Sequence, residues 1–168
     1  MTVYATVDSP LGELLLVGEE SASAVGGIAL VSLSLPGQKG AAEIKDDWWC
    51  DPGAFEEIAG QLRGYFAGEL THFAIEYAPG AGTDFQRRVW RAVEEIPYGE
   101  TATYGQIAER VGASGAGVRA VGTAIGRNPL LVVRPCHRVI GADGALRGYA
   151  GGVERKERLL GLEGALVS

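Results

Sequence analysis

The sequence predicts an α+β protein: a small sheet-plus-helix N-terminal domain, then a mainly helical C-terminal domain with a helix-turn-helix. Three observations carry that expectation. The first 35 residues hold three short, partly alternating apolar runs of strand type. Beyond residue 83 the apolar residues recur at helical spacing instead. Between these regions lies APGAG, residues 78–82, whose proline and glycines suit a linker. The N-terminal domain is therefore placed at 1–78, the linker at 79–83 and the C-terminal domain at 84–168.

The strands are expected at Val3–Val7, Glu13–Val17 and Ile28–Leu35, separated by SPLG and the Gly26-Gly27 pair. Pro36–Lys45 reads as a polar loop. Asp51 as N-cap and Pro52 at the first helical position open a helix. Phe55, Ile58, Leu62, Tyr65 and Phe66 give that helix one apolar face for the sheet. His72–Tyr77 reads as a further strand.

After the linker, Thr83 and Gln86 have the spacing of a capping box. Phe85, Val89, Trp90, Val93 and Ile96 form the stripe of the helix they start, and Pro97 ends it. Two short helices follow, at Thr103–Val111 and Gly117–Ile125, joined by the turn GASGAG. Ile107, Ala108 and Val111 face inward in the first, and Val118, Val121 and Ile125 in the second. A last helix runs from Gly152 to about Leu162. Two short helices across a glycine-containing turn resemble a helix-turn-helix.

Composition limits what such a chain can do. Hydrophobic residues make up 46% of the 168 and charged residues 21%, the balance of a globular protein. No apolar run approaches the roughly 18 residues of a membrane span. The start, MTVYATVDSP, lacks the basic, apolar pattern of a secretion signal, so a cytoplasmic location is expected. The two cysteines, Cys50 and Cys136, are expected to be free thiols in a reducing compartment. With His72 and His137 they lack the spacing of a structural zinc site, so no metal is expected.

Charge is unevenly spread beneath the net −6. Residues 1–83 carry 3 Lys/Arg against 12 Asp/Glu, whereas residues 84–168 carry 12 against 9. A polyanion partner for the C-terminal half fits that asymmetry. From Ser114 to Gly126 the only charged residue is Arg119, among Ala, Gly, Val, Ser, Thr and Ile. A helix that reads base edges needs several long polar side chains. One long arm among small residues suits close approach to DNA with little sequence preference.

The stretch RPCHRVIG, Arg134–Gly141, concentrates the chemistry. A free thiol, with a pKa near about 8.5, is only slightly ionised at neutral pH, so a nucleophilic Cys136 needs help losing its proton. His137 is adjacent, but neighbouring side chains diverge by about 100° in a helix and 180° in a strand. A protease-type Cys–His bond is therefore disfavoured, and a bridging water is the better connection. His137 then needs an orienting acceptor for its other nitrogen, and Glu163 is the candidate.

PCHRVIG, preceded by IGRNP and followed by GYAGG and RKERLLGLEG, resembles the O6-alkylguanine-DNA alkyltransferases. The likeness extends through GTDFQRRVW, IPYGETATYGQIA and VRAVG, covering about Asp84 to Gly164. The N-terminal half matches the family's variable α+β domain more loosely. The resemblance implies irreversible, single-turnover transfer of the alkyl group from O6-alkylguanine to Cys136, after the nucleotide is flipped out of duplex DNA. O4-alkylthymine is a further candidate substrate. It also implies a cysteine–water–histidine–glutamate relay through Cys136, His137 and Glu163, with no cofactor.

Residue by residue, Tyr104 matches the tyrosine that assists the guanine leaving group and crowds the target phosphate. Asn128 matches the asparagine that shapes the active-site turn, and Arg119 the arginine that fills the gap left in the base stack. Val139, Tyr149, Ala150 and Gly151 match the walls of the alkylguanine pocket. The implied partner is double-stranded DNA, bound through its minor groove with little sequence preference by a monomer.

Arg134 departs from the family pattern, which is usually apolar there. It is either a surface or phosphate contact or a charge that favours the thiolate. A DNA-binding regulator and a cysteine hydrolase are the rival readings. Preference for one DNA sequence would favour the first, and sustained ester or peptide turnover the second.

Overall fold

The computed structural model describes residues 1–165, and its contacts divide the chain into two units, Met1–Gly80 and one beginning at Ala81. Residues 166–168 of the expected C-terminal domain lie outside the described residues. No helix among the described residues is long and apolar enough to cross a membrane.

In the first unit, β1 (Thr2–Ser9), β2 (Gly12–Glu20) and β3 (Ile28–Ser34) form an antiparallel meander. A short β4 (Trp49–Cys50) adds parallel to β1, giving the sheet order β3-β2-β1-β4. The register shifts between Val17 and Gly18, which pair with Ser32 and Leu30, so Val31 is the extra residue of a bulge in β3. A Cβ on Gly18 would stand 2.5 Å from Ile28 Cγ2 and 3.1 Å from the Phe55 ring, so only glycine lets these groups close over the strand.

Asp51 accepts a hydrogen bond from the Ala54 amide and starts a turn of 3₁₀ helix at Pro52–Phe55, which continues as α1 (Glu56–Phe66). Ile58, Ala59, Leu62 and Tyr65 are the buried side of α1. His72–Tyr77 is not the strand expected from its sequence. It makes one isolated bridge, Leu30 to Tyr77, and the backbone groups of Ala74 within it are taken by a side chain. Gln61 of α1 accepts from the Ala74 amide at 2.7 Å and donates to the Ala74 carbonyl at 3.1 Å.

The second unit opens with α2 (Asp84–Glu94), where the Thr83–Gln86 capping box forms in both directions. A second box, Thr103 with Gln106, starts α3 (Tyr104–Arg110). Just before it, β5 (Ala102–Thr103) pairs in parallel with β6 (Val139–Ile140). α4 (Ala116–Gly126) follows α3 through a turn that includes Gly115 at φ +56°, and α5 (Val153–Leu162) closes the unit.

Val89, Val93, Ile96, Ile107, Val121, Ile125, Cys136 and Val139 make one core. The Trp90 indole donates to the Ala124 carbonyl at 2.8 Å and ties α2 to α4. Val118, expected to face inward, is exposed. The first turn of α4 stands clear of the core, with Ala116, Arg119 and Ala120 exposed beside it, and burial begins at Val121.

Candidate active site

The thiol sits where an irregular turn meets the core. The chain leaves α4, runs through Leu130–Pro135, and enters a short 3₁₀ turn, Cys136–Arg138, before β6. Asn128 organises that run. Its Oδ1 accepts from the Leu130 amide at 2.9 Å, and its Nδ2 donates to the carbonyls of Leu130 and Arg134 at 3.4 and 3.3 Å. The Arg134 amide donates to the Leu130 carbonyl at 2.9 Å, and the Cys136 amide to the Arg134 carbonyl at 2.7 Å. Within the run, Val132 has φ +70°, a left-handed conformation that a β-branched residue rarely adopts. The turn is thus held by side chains around it rather than by its own preference.

Cys136 is 2% exposed and His137 fully buried. They do not bond to each other. His137 Nε2 lies 2.7 Å from Glu163 Oε2, at the end of α5, while Nδ1 has no hydrogen-bond partner. Glu163 is also gripped by Arg138, whose Nε donates to Oε1 at 2.7 Å and Nη2 to Oε2 at 3.1 Å. The third arm of that guanidinium donates to the Ile96 carbonyl at 2.7 Å. A buried carboxylate therefore has a fixed cation on one side and an imidazole on the other. With Arg138 satisfying its charge, Glu163 orients the ring without needing a protonated histidine.

Burial holds the His137 imidazole below its ordinary pKa, against the bond and charge of Glu163. At neutral pH the ring is thus a neutral base with an available nitrogen. Burial pushes the Cys136 thiol up to about 12, opposed by the charge of Arg134, the Asn128 side chain and the charge of Lys156. The resting site is a neutral thiol beside a neutral base.

Val139 is fully buried in the cluster that contains Cys136, and Tyr104 and Tyr149 pack against that cluster. Tyr149 meets His137 edge to face at 6.4 Å between ring centres. Burial, then the neighbouring Cys136, raises the Tyr104 phenol above its usual pKa, keeping a proton available for donation. Ala150 is half-buried and Gly151 buried; Arg155 donates to the Gly151 carbonyl at 3.1 Å. Arg119 stands apart from this group, exposed on α4 and without an ion pair among the described residues.

Sequence reasoning left two members of the site unassigned. Arg138 was visible in the motif without a partner. Lys156 is fully buried in α5, its Nζ 3.3 and 3.4 Å from the carbonyls of Arg147 and Gly148 and 5.8 Å from the centre of the Tyr104 ring. Burial lowers its pKa to about 8. Its signal was spacing: Lys156, Leu159, Leu160 and Glu163 share one helical face, so a lysine there belongs inside. Arg134, open between surface and site, is buried and is no surface contact. Both cysteines are free, and no group of three His, Cys, Asp or Glu among the described residues could hold a metal ion.

Two family models match the chain. Residues 2–79 match the ribonuclease-like domain of 6-O-methylguanine DNA methyltransferase, and residues 84–165 its DNA binding domain. The methylated-DNA–protein-cysteine methyltransferase of Mycobacterium tuberculosis is 50% identical over 163 residues, 97% of this chain and 93% of that protein. Its namesake in Methanosarcina acetivorans is 49% identical over 162 residues, 96% of this chain and 98% of that protein. The crystal structure of M. tuberculosis OGT in complex with DNA aligns with a TM-score of 0.85 at 50% identity, covering 97% of this chain and 93% of that one. With both halves matched and relatives similar along nearly the whole length, this chain belongs to the 6-O-methylguanine DNA methyltransferase family.

Proposed function

We propose that this protein repairs alkylated DNA by direct reversal, moving the alkyl group of O6-alkylguanine onto Cys136 Sγ. The observation that carries the reading is the buried line from the thiol's neighbour to its orienter: His137 with Nδ1 free and Nε2 bound to Glu163. Membership of a methylated-DNA methyltransferase family and the likeness to a relative crystallised with DNA support it.

The residues divide the work. His137 takes the thiol proton at Nδ1 through one bridging water, and Glu163 stabilises the imidazolium that forms. Sγ then displaces guanine at the alkyl carbon: the S–C bond forms as the C–O6 bond breaks, and the electron pair leaves on the base. Tyr104 donates its phenolic proton to the departing guanine. Asn128 fixes the turn that aims Sγ, while Val139, Tyr149, Ala150 and Gly151 enclose the base. The thioether product has no leaving group as good as guanine, so each molecule reacts once, without a cofactor.

Access to O6 in a duplex requires flipping, which costs a few kcal/mol of stacking and pairing. Arg119, long and planar on a helix face of small residues, enters the stack in place of the base. α3 and α4 act as the helix-turn-helix, laid in the minor groove with little sequence preference, as damage at any sequence requires. The protein works as a cytoplasmic monomer and also accepts O4-alkylthymine.

The test is intact mass before and after exposure to duplex DNA containing O6-methylguanine. One methyl mass is expected on the Cys136 peptide, saturating at one equivalent, with Cys136→Ser still binding DNA but unmodified. Unchanged wild-type mass in excess substrate would overturn the reading.

A further inference from the structure

We infer that Arg134 is a positioning residue for the alkyl acceptor: its guanidinium pins the active-site turn to α2 and presents Cys136 with a fixed positive charge. The inference rests on the proposed role of Cys136 and adds a group that the motif does not supply.

The contacts define the pin. The Arg134 guanidinium lies over the Trp90 ring at 4.7 Å from its centre, and Trp90 is itself anchored to Ala124. Nη1 donates to Asn128 Oδ1 at 3.3 Å. Asn128 Nδ2 returns to the Arg134 carbonyl, which also accepts the Cys136 amide. One residue thus closes a ring of contacts through α2, the Asn128 side chain and the backbone of the nucleophile.

The Arg134 cation and the Arg138 cation meet their carboxylates differently. The carboxylate neighbour of Arg134, Glu94, stands 3.6 Å from Nε with 32% of its side chain in water, so it is loosely held and partly screened. Arg138 makes the contrast, because its cation is bound in two places by a fully buried carboxylate. A buried arginine that serves packing alone is replaceable by an apolar residue of similar length. A charged one beside a buried thiol also acts on that thiol electrostatically.

The groups facing Cys136 come from every neighbouring element. They are Arg134 on its own turn, Glu94 on α2, Tyr104 on α3, Tyr149 on the loop before α5, and Lys156 on α5. Among them Arg134 opposes the effect of burial on the thiol most strongly, and Glu94 works the other way.

The experiment measures how fast iodoacetamide labels Cys136 at pH 8, followed by peptide mass in a Cys50→Ser background. Below the thiol pKa this rate tracks the thiolate. Arg134→Met is expected to slow labelling about tenfold, with Arg134→Lys recovering to within about threefold of wild type. Glu94→Gln, a change at a half-exposed site, is expected to speed labelling about threefold and keeps the test open if Arg134→Met folds poorly. Reaction with free O6-benzylguanine should follow the same order, and DNA affinity should not change.

Equal rates in all variants, equal slowing by Met and Lys, or slowing by Glu94→Gln would each overturn the inference. So would a loss of DNA affinity in Arg134→Met, which would make it a phosphate contact. If wild type takes no benzyl group from O6-benzylguanine, the alkyltransferase reading fails instead, while the labelling rates still decide the role of Arg134.

Discussion

The two units bury different kinds of residue. In the first the buried polar residues are Ser32 and Ser34, and everything else in its core is apolar. In the second Asn128, Arg134, His137, Arg138, Lys156 and Glu163 are all buried with Cys136. Burying charge is costly unless it is paired, so the second unit sacrifices stability to hold a charged network against a thiol. The first unit needs no such network, and its architecture follows from apolar pattern, one bulge and one cap.

The strongest way to break this contrast is to unpair the network. Glu163→Gln should destabilise the protein by about 3 kcal/mol, because Arg138 is left buried without its counter-charge. Equilibrium denaturation checks this, and a loss below about 1 kcal/mol would show that the network carries no such stake. Arg119 tests the opposite kind of charge, exposed and without an ion pair among the described residues. Arg119→Ala should slow repair of duplex DNA by about tenfold or more while sparing reaction with free O6-benzylguanine, since flipping is lost and chemistry is not. Equal losses on both substrates would mean that Arg119 is structural.

The first unit should answer differently. Asp51→Ala removes the cap before α1 and should cost about 1 kcal/mol with no change in reactivity toward free O6-benzylguanine. An altered reaction rate would mean that the chemistry is not confined to the second unit. The smallest effect is in pH. The folded Cys136 pKa of about 12 lies above the ordinary 9.0, so its preference for the neutral form adds stability below pH 9.0 that is lost as pH rises toward 12. The stability of wild type relative to Cys136→Ser should therefore decline above pH 9.0 in denaturation series, and a rise would reverse the sign of the thiol's burial.

The same contrast explains what could be read in the sequence. The Asp51 cap, the Thr83–Gln86 box and the helix stripes other than Val118 are local signals, and they appear in the structure where spacing put them. The two-residue strand Trp49–Cys50 is too short to show a period, and within His72–Tyr77 the backbone of Ala74 is held by a glutamine on another element. Within the site, the geometry of adjacent side chains argued against a direct Cys136–His137 bond, and Glu163, the candidate orienter, lies 2.7 Å from His137 Nε2. The destinations of Arg134, Arg138 and Lys156 did not, because each depends on partners from elsewhere in the fold: Trp90, Ile96 and the carbonyls of Arg147 and Gly148.

The depth of Cys136 has a chemical consequence for the protein between encounters with damage. Burial pushes its pKa up to about 12, so the thiol stays protonated at pH 7 in the resting fold. Peroxides attack thiolates that they can reach, so the acceptor should outlast Cys50, which is exposed on the sheet. Under mild hydrogen peroxide, sulfenic acid should accumulate on Cys50 first, and trapping it on Cys136 first would contradict that order. The same burial that sets up the proposed acceptor thus also shields its thiol from oxidants.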